Sequence, residues 1–122
     1  MTPPVKVNLA RKFSEFEDHW VPKVVGEVND FQVKVAKLQG EFVWHHHEEE
    51  DELFLVQRGQ LRIEFRDGEV LLEPGEMVIV PRGIEHRPIA DEEVQLVLFE
   101  RSGTVNTGNV FDERTVAKPK RI

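Results

Sequence analysis

Residues 61–72 constrain this chain more tightly than any other stretch. Leu61, Ile63 and Phe65 alternate with Arg62, Glu64 and Arg66. That period of two fits an extended strand with one buried face. Asp67-Gly68 follows, a pair that accepts the positive φ of a tight hairpin turn, and residues 70–72 return as a second strand. The same texture recurs along the chain, with Gly and Pro punctuation between short apolar runs. Many short strands cut by such turns predict an antiparallel sandwich or barrel.

Before that region, Pro3 and Pro4 predict an extended lead-in, and Val5 and Val7 a short edge strand. Leu9, Phe13, Phe16 and Trp20 recur at helical spacing, so a short amphipathic helix is expected, ending before Pro22. Val24, Val25 and Val28 precede the turn residues Asn29-Asp30. Phe31, Val33 and Val35 alternate with Gln32 and Lys34, which predicts a half-buried strand broken by Gly40. Residues 42–47 continue extended, and 52–57 form another strand. Arg58-Gly59-Gln60 and 73–76 read as turns, 77–80 as a short buried strand, and 86–89 as an extended segment in which Pro88 suggests an edge or irregular position. Residues 91–93 are expected to form a loop and 94–99 a last strand. Beyond Arg101 the chain is polar and irregular, suited to wrapping the surface or crossing to a neighbour.

At 122 residues the chain is expected to form a single domain over 1–122, with its β core at about 24–100 and the segments 1–23 and 101–122 packed around it. A net charge of −7 and no marked basic cluster argue against nucleic acid. There is no cysteine, which removes thiolate metal sites and disulfides. No apolar run reaches the length of a membrane helix. No signal-like segment opens the chain. The expected location is cytoplasmic, with no membrane partner.

The chemistry concentrates in residues 40–59 and 75–86. His45 and His47, two apart on an extended segment, point to one face, and His46 to the other. Glu52, after a short acidic turn, adds an oxygen ligand. His86 is remote in sequence, but a β fold brings distant strands together. Three imidazoles and a carboxylate suit one divalent transition metal (Zn, Fe, Mn, Ni or Cu), with positions left open for a substrate. Each other feature has a plainer role. The acidic run 48–51 suits a solvated loop, Trp44 a packing contact, and Arg58, Arg62, Glu76, Arg82 and Glu85 exposed positions. Met77, Ile79 and Phe54 suit the core. Nucleophilic catalysis is not supported, because Ser14 and Ser102 lack the glycine context of a nucleophile elbow.

His45-x-His47-x4-Glu52-x6-Gly59 resembles the first motif of the cupin superfamily, and Gly75-x5-Pro81-x-Gly83-x2-His86 resembles the second. The chain departs twice. Gly40 stands one residue closer to the first histidine than is usual, and Ala90 occupies the place of a customary asparagine. Neither position is a ligand. The wider texture is similar to small mannose-6-phosphate-isomerase-like cupin 2 proteins. The resemblance implies an all-β fold, a double-stranded β-helix (jelly-roll) barrel with a short N-terminal helix. It also implies the metal ligands His45, His47, Glu52 and His86. A small metalloenzyme of isomerase or dioxygenase type, acting on an oxygen-rich small molecule, is the expected function. Glu52 is the candidate base. The alternative is a non-catalytic module that binds or senses a small ligand. Strand 52–57 is apolar on both faces, and small cupins are often homodimers, so a homodimer is expected.

Overall fold

The computed structural model describes residues 2–122. One short helix, α1 (Leu9–Phe13), precedes seven strands: β1 (Lys23–Val28), β2 (Phe31–Glu41), β3 (Glu52–Arg58), β4 (Leu61–Phe65), β5 (Gly68–Leu72), β6 (Met77–Val80) and β7 (His86–Arg101). All strand pairs are antiparallel. The topology is that of a cupin-like jelly roll, but the expected barrel does not close. The hydrogen-bonded order is β1-β2-β7-β3-β6, with the β4–β5 hairpin attached to β7 through β4. Closure requires two strand neighbours for every strand. Here β1, β5 and β6 each have one.

The sheet bends sharply within β7. Gln39 alone on β2 stands opposite Asp91, Glu92 and Glu93, between the pairs Leu38↔Val94 and Gly40↔Ala90. Three residues against one make a bulge that turns a corner, and Gly40, at φ 92, supplies the matching bend. The expected loop at 91–93 is therefore this corner inside one long strand. The halves of β7 serve different layers. Residues 95–100 pair with β3, and residues 86–89 pair with β4. A straight strand would hold His86 and Glu100 about 46 Å apart; the corner brings both toward Glu52.

Side chains alternate across the sheet. Ala36, Leu38, Phe54, Val56, Leu96 and Leu98 belong to the main core, joined by Leu61, Ile63 and Leu72 from the hairpin. Each large apolar side chain so buried contributes about 1.5–3 kcal/mol. The other face carries Val35, Val97 and Val25, and Phe13 of α1 covers them. At the start of β2 the valine face is covered as expected, but the lysine face is covered too. Lys34 is buried, and its neighbours Val33 and Val35 lie under the N-terminal segment.

The N-terminal helix is shorter than its apolar stripe. Asn8 caps it, accepting from the Arg11 N–H at 3.0 Å, and Ser14 ends it. Trp20 lies outside the helix in a left-handed conformation, φ 65, at a cost of about 1–2 kcal/mol. It gains a stack on Phe42, with ring centroids 4.6 Å apart and planes at 12°, and an indole N–H bond to the Gln39 carbonyl at 2.9 Å. Val5 and Val7 form no strand and lie exposed. The strand expected at 77–80 is present, but Met77 and Ile79 are about half exposed, at 54% and 52%. The tail folds back on the body, where the Ile122 N–H donates to the Val24 carbonyl at 3.0 Å. Among the described residues, no helix is long and apolar enough to cross a membrane.

Candidate metal centre

Four buried side chains converge at one end of the fold. Glu52 opens β3 and His86 opens β7. His45 faces His86 through a reciprocal backbone pair, His45 N–H to His86 carbonyl at 3.0 Å and the return bond at 2.9 Å. His47 is fixed by its carbonyl, which accepts from the Gly83 N–H at 2.7 Å. The second motif's turn glycine therefore ties the first motif in place. One ligand atom from each of His45, His47, Glu52 and His86 lies within 4.8 Å of all the others. His47 Nε2 is 2.9 Å, and His86 Nε2 3.5 Å, from Glu52 Oε1.

The donor set fits a metal by an independent test. His47 Nε2, His86 Nε2 and Glu52 Oε1 are buried and have no hydrogen-bond partner among the described residues. The short His47–Glu52 approach lacks the alignment of a hydrogen bond. Leaving such atoms unpartnered costs about 1–3 kcal/mol each, and a cation would satisfy all three. The imidazoles are also oriented for it. Nδ1 of His45 donates to the Val43 carbonyl and Nδ1 of His86 to the Ile84 carbonyl, each at 2.9 Å. A carbonyl can only accept, so the ring proton sits on Nδ1 and the Nε2 lone pair points inward. The cluster can therefore coordinate a divalent metal ion.

Burial holds His45 neutral. Desolvation, reinforced by the neighbouring His86, lowers its pKa from 6.5 to about 4. Between those values the unfolded chain binds a proton that the native site refuses, so the contribution of His45 to stability is lost as pH falls through that window. The loss amounts to about 3 kcal/mol. Burial alone would push the Glu52 carboxyl up, but the close approach of His47, His86 and Glu100 holds it well below the ordinary carboxylate value. Glu100 moves the other way. Burial and the Glu52 charge raise it well above that value, and Lys34 offsets them only in part. Its pH dependence opposes that of His45, so a comparison isolates the histidine. Urea unfolding of chelator-stripped protein should show the stability gap between the parent and a His45→Gln variant shrinking by about 2–3 kcal/mol between pH 7 and pH 4.5. An unchanged gap would contradict a neutral His45.

Sequence reasoning located the four cluster residues but missed those that support them. Glu100 pairs with Glu52 across β3 and β7, and its Oε2 takes a hydrogen bond from Lys34 at 2.8 Å. Its signal was parity, because Glu100 shares the face of Leu96 and Leu98. The tail clamps the histidine segment: His46 N–H donates to the Asn109 side chain at 2.9 Å, and Asn109 N–H to the His46 carbonyl at 3.0 Å. His46 itself points away from the cluster and meets Glu48 at 2.5 Å. Trp44 lies beneath the Arg66 guanidinium, 3.8 Å from its ring centre. Arg82 pairs with Asp51 on the surface at 3.2 Å. Phe54 is core, as expected, and Met77 and Ile79 are not.

Residues 31–100 match the cupin domain family, Cupin_2. The chain belongs to that family, as a small cupin-superfamily protein. It is similar to a cupin-2 domain containing protein of Shewanella frigidimarina: 47% identity, TM-score 0.77, covering 78% of this chain and 93% of that one. A Neisseria meningitidis structure matches at 30% identity and TM-score 0.74, over 80% of this chain and 100% of that one. The Bacillus subtilis protein YdbB is 38% identical over 81 residues, 66% of this chain and 72% of that protein. A sugar phosphate isomerase of the cupin superfamily from Silicibacter pomeroyi shares the fold at 22% identity and TM-score 0.53, over 62% of this chain and 53% of that one.

Proposed function

We propose that this chain is a small metalloenzyme in which His45, His47, Glu52 and His86 hold one divalent transition metal (Zn, Fe, Mn, Ni or Cu). The observation that carries this reading is the set of three buried, unpartnered, mutually facing donor atoms. When bound, such an ion polarises a carbonyl or enol oxygen, or as iron supports oxygen chemistry. The chain's own residues do the rest. The Val43 and Ile84 carbonyls keep two imidazoles in the coordinating tautomer. Glu52 offsets the ion's charge. It also lines the adjacent cavity, where it can accept a proton from a bound substrate. The surrounding leucines and Phe54 give the cavity apolar walls.

Metal-loaded protein should isomerise a small carbonyl compound or consume oxygen with it. Turnover followed by oxygen electrode and by NMR of the mixture checks this. Ligand-dependent stabilisation without turnover would favour a binding or sensing module instead.

We place the protein in the cytoplasm as a homodimer. Met77 and Ile79 lie beside Leu55 and Leu53 on the open sheet edge, and the half-exposed apolar face they form supports self-association. Sedimentation equilibrium should give twice the chain mass, and an Ile79→Lys variant should sediment as a monomer.

A further inference from the structure

A cavity of about 40 Å³, measured as the space open to the centre of a water-sized sphere, adjoins the cluster on its His45 and Glu52 side. That is room for roughly three waters. Its walls are Ala36, Leu38, Phe54, Leu96 and Leu98, with Trp20 and Phe42 stacked at one side. Few of its polar groups are free to meet a ligand. The Asn106 amide donates to the Arg114 carbonyl at 2.9 Å and accepts from the Val116 N–H at 2.7 Å. Glu100 gives one oxygen to Lys34, and its Oε1 is buried without a partner.

Among the described residues, no lysine or arginine lines this cavity. The buried Lys34 ammonium is held on Glu100 at 2.8 Å. Arg114 lies over the Phe42 ring but donates to the Glu41 carbonyl at 2.9 Å and sits 3.5 Å from Asp112. A phosphate dianion placed here would meet two carboxyl groups, Glu52 and Glu100, and no free cation apart from the metal itself, which can offset the single charge of a small carboxylate bound on it but not a dianion carried on a polar sugar. Burying a charge on those terms is strongly unfavourable. An apolar chain of a few carbons would instead replace water against leucine and phenylalanine surface.

We propose that the cavity takes a small molecule with one oxygen-bearing end, directed at the cluster, and a short apolar body, and that it rejects phosphorylated sugars. This inference rests on the metal reading above. The oxygen-bearing end meets the ion beside His45 and Glu52. The apolar body lies against Ala36, Leu96 and Leu98. Ala36 sets the available length, because any larger side chain there occupies the same space.

The test uses protein loaded with Co(II), whose visible spectrum reports ligands that reach the metal, with metal content measured first. The probes are 2-oxobutanoate, 2-oxohexanoate and glucose 6-phosphate, each followed by spectral titration and by melting temperature. The expected result is at least about tenfold tighter binding of 2-oxobutanoate than of glucose 6-phosphate. Ala36→Phe should weaken 2-oxobutanoate by a similar factor while keeping its Co(II). If that variant fails to fold, Leu98→Ala serves instead, and it should shift preference toward 2-oxohexanoate. Failure to take up Co(II) would overturn the metal reading and this inference together. With Co(II) bound, three results would overturn the inference alone: glucose 6-phosphate binding as tightly as 2-oxobutanoate, neither binding at millimolar concentration, or affinities unmoved in both variants.

Discussion

Replacing Lys34 by alanine should destabilise the protein by about 3–5 kcal/mol, the usual cost of removing one partner of a buried ion pair. Lys34 is 1% exposed and Glu100 2%, with 2.8 Å between Nζ and Oε2. Without the ammonium, the Glu100 carboxyl stands in the core beside Glu52, with no counter-charge and no water. The chain must either keep that charge buried or protonate it. A carboxyl whose pKa is raised in the folded state loses stability as pH rises through its folded value. The Lys34→Ala variant should therefore recover part of its loss on acidification toward pH 5. A double variant, Lys34→Met with Glu100→Leu, should regain most of the stability, because apolar groups of similar volume need no partner. Urea unfolding of the three proteins at pH 7 and pH 5 checks this. A single-variant loss below about 1 kcal/mol would mean that the pair is not buried as described.

The second large effect is expected at Gly108. Its φ is +56, and a Cβ there would sit 2.2 Å from the His46 carbonyl oxygen and 3.1 Å from the His45 ring. Neither neighbour is free to move, since His46 is hydrogen-bonded on both sides to Asn109. Gly108→Ala should lift the tail from the segment that carries His45 and His47. The expected cost is about 2–3 kcal/mol of stability. Metal affinity should fall about 10- to 100-fold, as it does when supports of a ligand are disturbed. Gly103→Ala is the control. Gly103 also has a positive φ, +90, but a Cβ there meets nothing within 4 Å, so it carries the backbone strain without the collision. Equal effects in both variants would remove the tail clamp from the account.

The strands and the cluster were legible for a physical reason. Turn residues such as Asp67-Gly68 act locally, and the two motifs place His45, His47, Glu52 and His86 by short-range spacing. What sequence could not supply was the corner in β7. Asp91, Glu92 and Glu93 read as a loop because a run of charge has no partner in one dimension. Their role as a bulge depends on Gln39 and Gly40 of another strand. The open sheet was equally illegible, since pairing of β5 with β6 is a matter of register and curvature rather than of pattern. Lys34 shows the same limit. Alternation with Val33 and Val35 assigned it to solvent, but both faces of this sheet are covered. α1 takes the valine face, and Lys34 finds its counter-charge in Glu100, 66 positions away, with a further hydrogen bond to the Thr104 carbonyl at 3.4 Å. Trp20 followed the helical stripe of Leu9, Phe13 and Phe16, yet the helix ends at Phe13 and the indole packs on Phe42 instead.

Metal content tests the central claim most directly. Elemental mass spectrometry on tag-free protein should find close to one equivalent of a divalent transition metal per chain, or uptake of one on incubation. A His47→Ala, His86→Ala double variant, folded by circular dichroism, should contain almost none. A parent that refuses every added metal, or a double variant that binds it equally well, would contradict the assignment of these four residues.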